Sequence, residues 1–265
     1  MAVQAIFFDL DDTLVVEEAA ADAAFAATCE RASKKYGIDP HALHHAVREH
    51  SRELWRAYPT IAYCRAIGIS SWEGLWARFL GDDPNVKALR EWAPSYRRES
   101  WTRALADQGV HNPAFAEELA VTYIEECRSR HTAFPDVKPA LDELLGTYRL
   151  AIITNGVPDL QRDKIHRAGL ARCFEAIIIS GEIGFGKPDP RILALALDRL
   201  AVAAAESAMV GDNLERDIRP AQHAGMKGIW INRSGEECPE EPKPDAQIAS
   251  LADLREVLQG WTIAG

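Results

Sequence analysis

Two aspartates that follow a short apolar segment near the start of the chain are the residues best suited to chemistry. Asp9 and Asp11 come directly after Ala5-Ile6-Phe7-Phe8, which predicts a buried strand because apolar residues fill it and polar residues end it. Side chains alternate between faces along an extended segment, so the two carboxylates point the same way. Like charges this close repel each other unless a cation lies nearby. The pair therefore predicts a site where, beside a divalent cation, one carboxylate attacks and the other transfers protons.

Polar residues with complementary chemistry follow three later apolar segments. They are Thr154-Asn155-Gly156 after the second segment, Lys187 in the loop after the third, and Gly211-Asp212-Asn213 with Asp217 after the fourth. In an open α/β sheet, ligands bind outside the carboxyl ends of the strands. We therefore expect these residues to converge with Asp9 and Asp11 in one crevice.

The residue types suit phosphoryl transfer. Asp9 is the predicted nucleophile, which would form an aspartyl phosphate and divide one difficult step into two. Asp11 would protonate the leaving oxygen and later deprotonate the hydrolytic water. Mg²⁺ prefers oxygen ligands, which Asp9, Asp212 and a backbone carbonyl can supply. The remaining phosphate oxygens are assigned to three donors: Thr154, Asn155 and Lys187.

The elements that must position these residues alternate in the second half of the chain. Apolar strand segments and helical segments follow one another from residue 135 onward, which predicts a parallel sheet covered by helices on both faces. Residues 16–134 instead read almost wholly as helix. The predicted architecture is a three-layer α/β core made of residues 1–15 and 135–265, interrupted by an all-helical insertion of residues 16–134.

Taken together, the four motifs resemble those of the haloacid dehalogenase (HAD) superfamily, specifically phosphatases with a helical cap inserted after the first motif. Asp9-x-Asp11-x-Thr13 is similar to the first motif, Thr154 to the second and Lys187 to the third, and Asp212 with Asp217 corresponds to the fourth. The resemblance implies a Rossmann-like core, a C1-type cap over residues 16–134 and dependence on Mg²⁺. It also implies a catalytic role for Lys187, metal ligation by the Asp11 main-chain carbonyl, and supporting positions behind the metal or Lys187 for Asp217 and Asn213.

Asp11 decides between branches of this superfamily. In the dehalogenases that give the superfamily its name, the residue two positions after the nucleophile is typically tyrosine and no metal is needed. An aspartate there suits a leaving oxygen that needs a proton. We therefore predict a phosphatase acting on a small phosphorylated metabolite. A phosphomutase, which would return the phosphoryl group to its substrate, stays open, as does a binding module that has lost turnover.

The composition narrows the range of expected partners and the expected cellular location. The net charge is −10, from 30 basic and 40 acidic residues, and no basic run offers a phosphate-tracking surface, so nucleic acid is not an expected partner. The five cysteines are scattered and odd in number, as expected for reduced thiols in a cytoplasmic protein. No apolar run approaches the length of a membrane span. We expect a monomer or homodimer that binds neither nucleic acid nor membrane.

Overall fold

The structure is a computed structural model that describes residues 2–263, and its centre is a six-stranded parallel sheet. The strands are β1 (Ala5–Phe8), β2 (Arg149–Thr154), β3 (Ala176–Ile179), β4 (Ser207–Gly211), β5 (Lys227–Ile231) and β6 (Ala246–Ile248). Their order in the sheet is β3-β2-β1-β4-β5-β6, and all five neighbouring pairs are parallel. The sheet confirms the predicted α/β class, and it places the carboxyl ends of β1, β2 and β4 side by side.

Alternate residues of each central strand face two separate apolar cores. In β1, Ile6 and Phe8 lie in one core and Ala5 and Phe7 in the other, and all four are fully buried. Helices α7 (Val137–Leu144) and α12 (Leu254–Ile263) pack into the first core, whereas α10 (Pro190–Arg199) and α11 (Arg219–His223) pack into the second. This is the predicted three-layer arrangement, and two-sided burial explains why the strands are continuously apolar.

The described chain divides into two compact units. One contains the sheet and comprises residues 2–16, 132–156 and 161–263, while the other comprises residues 17–131 and 157–160. The second unit has its own core, in which Phe25, Trp101 and Tyr123 are fully buried. Its helices are α1 (Glu18–Tyr36), α2 (Pro40–Arg56), α3 (Ile61–Ile67), α4 (Ser71–Gly74), α5 (Pro84–Asp107) and α6 (Pro113–Arg130). None of the helices among residues 2–263 is both long and apolar enough to cross a bilayer.

The two chain segments that leave and re-enter the sheet unit run beside each other. Val15 forms an antiparallel bridge with Ala133, and the Val16 amide donates to the Thr132 carbonyl at 3.0 Å. Immediately after them, within the helical unit, the Glu17 carboxylate lies 2.7 Å from Nε2 of His131, and both side chains are buried. The insertion therefore begins and ends at one place.

Three local features differ from the sequence-based expectations. The sequence predicts strands at the positions of β1 to β5 but not the short strand β6, because three residues carry little periodic signal. It also predicts that Asp136 caps the helix that follows it, but the side chain does not cap α7; instead its Oδ2 accepts from Arg233 and Ser250. Because proline is tolerated only in the first turn of a helix, Pro220 predicts a helix that begins near residue 216. That helix begins at Leu214 as a π-helical turn and becomes α-helical at Arg219.

Two further helices follow β2 and β3. They are α8 (Pro158–Arg167), of which residues 161–167 belong to the sheet unit, and the single turn α9 (Ser180–Ile183). Because Gln161 comes only seven residues after Thr154, the part of α8 within the sheet unit stays close to the carboxyl end of β2. That position brings the side chains of α8 to the predicted site.

Candidate active site

Lys187 joins two of the predicted carboxylates in the sheet unit. Its Nζ lies 2.5 Å from Oδ1 of Asp9 and 2.6 Å from Oδ1 of Asp217. All three residues are buried. Asp9 follows β1 and Asp217 lies in the turn after β4, so the parallel register of these strands brings residues about two hundred positions apart into contact. A lysine ammonium has three donors, which leaves one N–H for a further acceptor.

Asp212 completes a group of carboxylates suited to a metal ion. One oxygen from each of Asp9, Asp212 and Asp217 lies within 4.8 Å of the others. When all three are ionised, Lys187 balances one charge and two negative charges remain, the complement of a divalent cation. Hard cations such as Mg²⁺ prefer carboxylate oxygens, so the residues present fit the predicted metal.

The pKa values of Asp9, Asp212 and Lys187 also favour a cation at this site. Burial and the neighbouring carboxylates raise the pKa of Asp9 to about 7, against the opposing effect of Lys187. Burial, together with Asp9 and Asp217, raises the pKa of Asp212 to about 8. Although burial opposes it, contact with Asp217 and Asp9 holds the pKa of Lys187 above its ordinary range. Without a further cation, the site therefore disfavours the full set of negative charges.

Asn155 holds the loop that carries Lys187. Its side-chain amide donates to the Lys187 carbonyl at 2.7 Å and accepts from the Lys187 amide at 2.8 Å. The side chain predicted to bind phosphate thus makes a two-point contact with the backbone of Lys187. This contact fixes the position of the Lys187 backbone, and so places its side chain beside Asp9. Phosphate binding by Asn155 stays a prediction.

Gly186 is needed for this contact, because a Cβ at position 186 would lie 2.9 Å from Cγ of Asn155 and 2.8 Å from Cβ of Ser180. We expect Gly186→Ala to lower the free energy of unfolding by about 1–3 kcal/mol, the usual cost of overpacking, and to reduce activity further by displacing Lys187. Gly260→Ala is the matched control, since its added Cβ meets nothing within 4 Å and lies inside a helix. Urea denaturation would contradict the reasoning if both variants lost the same stability.

The segment after β4 holds Asp212 and Asp217 in place through its backbone. The Asp212 amide donates to the Thr13 hydroxyl at 3.0 Å, and the Trp230 indole donates to the Asp212 carbonyl at 2.8 Å. The Asn213 amide donates to the Asp217 carboxylate at 3.1 Å. A Cβ at Gly211 would lie 2.5 Å from Cβ of Asp217, so glycine is required where Asp217 folds back over the strand end.

Asp11 contacts two residues that lie outside the four sequence motifs. Lys164 donates to its Oδ1 at 2.9 Å, and the Gln161 side chain donates to its Oδ2 at 2.8 Å. Gln161 also donates to the Thr154 hydroxyl at 2.6 Å. The one available signal was the spacing of a glutamine and a lysine three residues apart on α8, directly after the second motif, which puts both on one face of a helix.

Every predicted site residue therefore lies in one of two connected groups, joined by the short segment from Asp9 to Asp11. The first group is Asp9, Asn155, Lys187, Asp212, Asn213 and Asp217. The second is Asp11 with Thr154, linked through Gln161. The roles assigned to the individual residues stay predictions.

Comparison with known proteins agrees with this geometry. The family model of the haloacid dehalogenase-like hydrolases matches residues 3–225. A phosphoserine phosphatase of Thermus thermophilus is 39% identical over 95% of this chain and 96% of its own length. The solved 2-haloacid dehalogenase of Pseudomonas syringae is 32% identical, with a TM-score of 0.56 and coverage of 98% and 99%. The magnesium-bound HAD-hydrolase YfnB of Bacillus subtilis shares the fold, with a TM-score of 0.65, 21% identity and coverage of 97% and 99%. The match over most of the chain confirms both the recognised family and the predicted hydrolase class: this chain belongs to the haloacid dehalogenase-like hydrolases.

Proposed function

We propose that this hydrolase is a Mg²⁺-dependent phosphatase that cleaves a small phosphomonoester through an aspartyl phosphate on Asp9. The observation that carries the proposal is the placement of the Asp9 carboxylate, which contacts the Lys187 ammonium at 2.5 Å and shares a metal-sized cluster with Asp212 and Asp217. The Thermus relative, which is named for its action on a phosphate ester, supports the same reaction class.

In the proposed reaction, an Asp9 oxygen attacks phosphorus as the bond from phosphorus to the leaving oxygen breaks. Asp11 donates its proton to that oxygen, so the alcohol departs neutral. A water then attacks the phosphorus and gives a proton to Asp11, and the bond from Asp9 to phosphorus breaks to release phosphate. Both aspartates are thereby restored.

Lys187 and the metal share the task of balancing charge. We propose Asp9, Asp212 and the Asp11 carbonyl as the ligands of Mg²⁺, with Asp217 and Asn213 behind them. When bound, Mg²⁺ would offset repulsion between the nucleophile and the phosphate and stabilise charge in the transition state. Lys187, with one donor not used by the carboxylates, would hold a phosphate oxygen and keep it oriented toward Asp9.

We further propose that the helical unit, predicted as residues 16–134, is a cap that selects the leaving group. Its separate core and the pairing of its two connections at Val15 and Ala133 support this. Such a cap would exclude water during phosphoryl transfer. The substrate class is a small phosphorylated metabolite, and the free thiols of all five cysteines are consistent with the predicted cytoplasmic setting.

The proposal is tested by measuring phosphate release from p-nitrophenyl phosphate with Mg²⁺ and with excess EDTA. We expect turnover with Mg²⁺ and a fall of at least about 10²-fold in EDTA, because the acidic site then lacks its cation. Full activity in EDTA would refute the metal role.

Product analysis distinguishes the proposed phosphatase from two rival functions. An isomerised sugar phosphate without free phosphate would indicate a phosphomutase. Halide release from 2-chloropropionate would indicate a dehalogenase, the activity named for the Pseudomonas relative.

The proposed metal site also predicts a pH dependence of Mg²⁺ affinity. Because the pKa values of Asp9 and Asp212 are raised to about 7 and about 8, both hold protons near pH 6 that the cation must displace. The Mg²⁺ affinity measured by calorimetry should therefore rise between about pH 6 and about pH 9. By the same linkage the metal-free protein should lose stability over this window as pH rises, since the unfolded chain has already released these protons. An affinity independent of pH would contradict this assignment.

A further inference from the structure

We propose that Gln161 and Lys164 are positioning residues that hold the Asp11 carboxylate in the orientation needed for proton transfer. Each oxygen of Asp11 accepts from a different side chain of α8: Oδ1 from Lys164 at 2.9 Å and Oδ2 from Gln161 at 2.8 Å. Two hydrogen bonds, one to each oxygen of a carboxylate, fix both the position of the group and the orientation of its plane. The inference rests on the proposed phosphatase function.

Burial makes this contact unusually restrictive. The Lys164 side chain is fully buried, while that of Asp11 keeps 24% of its surface exposed. A buried ammonium must be paired, because an uncompensated charge away from water is costly. Lys164 therefore cannot turn away into solvent, and the carboxylate it contacts stays at the edge of the site.

Gln161 extends the same arrangement to the predicted phosphate-binding residue. Its Nε2 donates to both Asp11 and the Thr154 hydroxyl, the latter at 2.6 Å. One amide group thus sets the spacing between the proton-transfer group and a phosphate donor. A misplacement of about 1 Å in such a constellation costs on the order of 10²-fold in rate.

The backbone of the second motif is shaped around Gln161. Gly156 has a φ of +137°, and a Cβ there would lie 3.0 Å from both Cγ and Cδ of Gln161. The Gln161 side chain is fully buried, so this close packing holds its amide nitrogen where it donates to Asp11 and to the Thr154 hydroxyl.

The first experiment compares leaving groups. Asp11 is proposed to protonate the leaving oxygen, so its misplacement should matter most for a poor leaving group. We expect Lys164→Met to lower kcat/KM for glycerol phosphate at least about tenfold more than for p-nitrophenyl phosphate. Gln161→Met should show the same discrimination. Loss of folded enzyme, or any purely structural role, would lower both substrates equally, and equal lowering would overturn the proposal.

Two further variants make the test specific. In an Asp11→Asn background, Lys164→Met should add no further discrimination, because the group that it positions is already absent. Lys138→Met is the matched control, since this exposed lysine pairs with Asp142 on the surface of α7 and should leave both rates unchanged. Additive discrimination in the double variant would overturn the proposal.

A stability measurement tests the contact without depending on turnover. Lys164→Met and Asp11→Asn should together lower Tm by less than the sum of their separate effects, with a difference on the order of 5 °C, because both substitutions break the same contact. Additive Tm changes would overturn the proposal. If the Tm effects of the two substitutions are not additive but the wild type releases no phosphate, the proposed function fails while the positioning contact stands. If the wild type is active but the leaving-group effect is missing, the positioning role fails alone.

Discussion

Asp9→Asn is expected to lower phosphatase turnover on the order of 10⁴-fold or more, the scale seen when an enzyme loses its nucleophile. The substitution keeps the shape of the side chain but removes the oxygen that would form the bond to phosphorus. Turnover of p-nitrophenyl phosphate by the purified variant gives the size of the loss. Acid quenching of the wild type during turnover should trap protein-bound phosphate, and the variant should yield none.

The same variant should remain folded. Burial raises the pKa of Asp9 to about 7, so its ionised form is disfavoured in the folded protein, and a neutral side chain removes that penalty above neutral pH. The Tm of the metal-free variant at about pH 8 should therefore equal or exceed that of the wild type. Asp142→Asn, which changes an exposed carboxylate paired with Lys138, is the control and should keep full activity. If Asp9→Asn stays within tenfold of wild-type activity, Asp9 is not the nucleophile.

The sheet and the positions of the motifs could be predicted because they depend on local patterns and one general rule. Continuous apolar segments such as Ile152-Ile153 mark strands buried on both faces, and helices between them impose a parallel arrangement. The carboxyl ends of such strands meet at one edge. That rule predicts that Lys187 and Asp9 lie at the same edge of the sheet, although 178 positions separate them in the chain.

The contacts that position the site could not be predicted, because they depend on three-dimensional packing. The spacing of Gln161 and Lys164 puts both on one face of α8, but it does not show that Lys164 is buried. The pairing of Asn155 with the Lys187 backbone requires Gly186 to leave room for it. The π-helical turn before Pro220 also depends on context: proline lacks an N–H for the helix ladder, yet the sequence alone does not say where the preceding turn begins.

Lys187→Met is expected to show both the catalytic and the structural importance of the buried ammonium. Removing it leaves Asp9 and Asp217 facing each other without their shared partner, both buried. Breaking a buried ion pair by removing one partner typically costs about 3–5 kcal/mol of unfolding free energy. Loss of the phosphate-orienting charge should lower kcat by about 10²–10³-fold. Urea denaturation in EDTA and steady-state kinetics with Mg²⁺ measure the two effects separately.

Charge, rather than lost packing, should explain this destabilisation, and a second substitution can show it. Lys187→Met combined with Asp217→Asn should be more stable than Lys187→Met alone, because one of the uncompensated carboxylates is gone, but its activity should stay low. The loss in unfolding free energy caused by Lys187→Met should be smaller near pH 6 than near pH 9, because the raised pKa values of Asp9 and Asp212 allow these groups to be protonated at the lower pH.

Lys227→Met, which breaks an exposed pair with Asp245, is the control and should cost less than about 1 kcal/mol of unfolding free energy. Equal losses for the two lysine variants, or a further loss on adding Asp217→Asn, would show that Lys187 does not hold these carboxylates together.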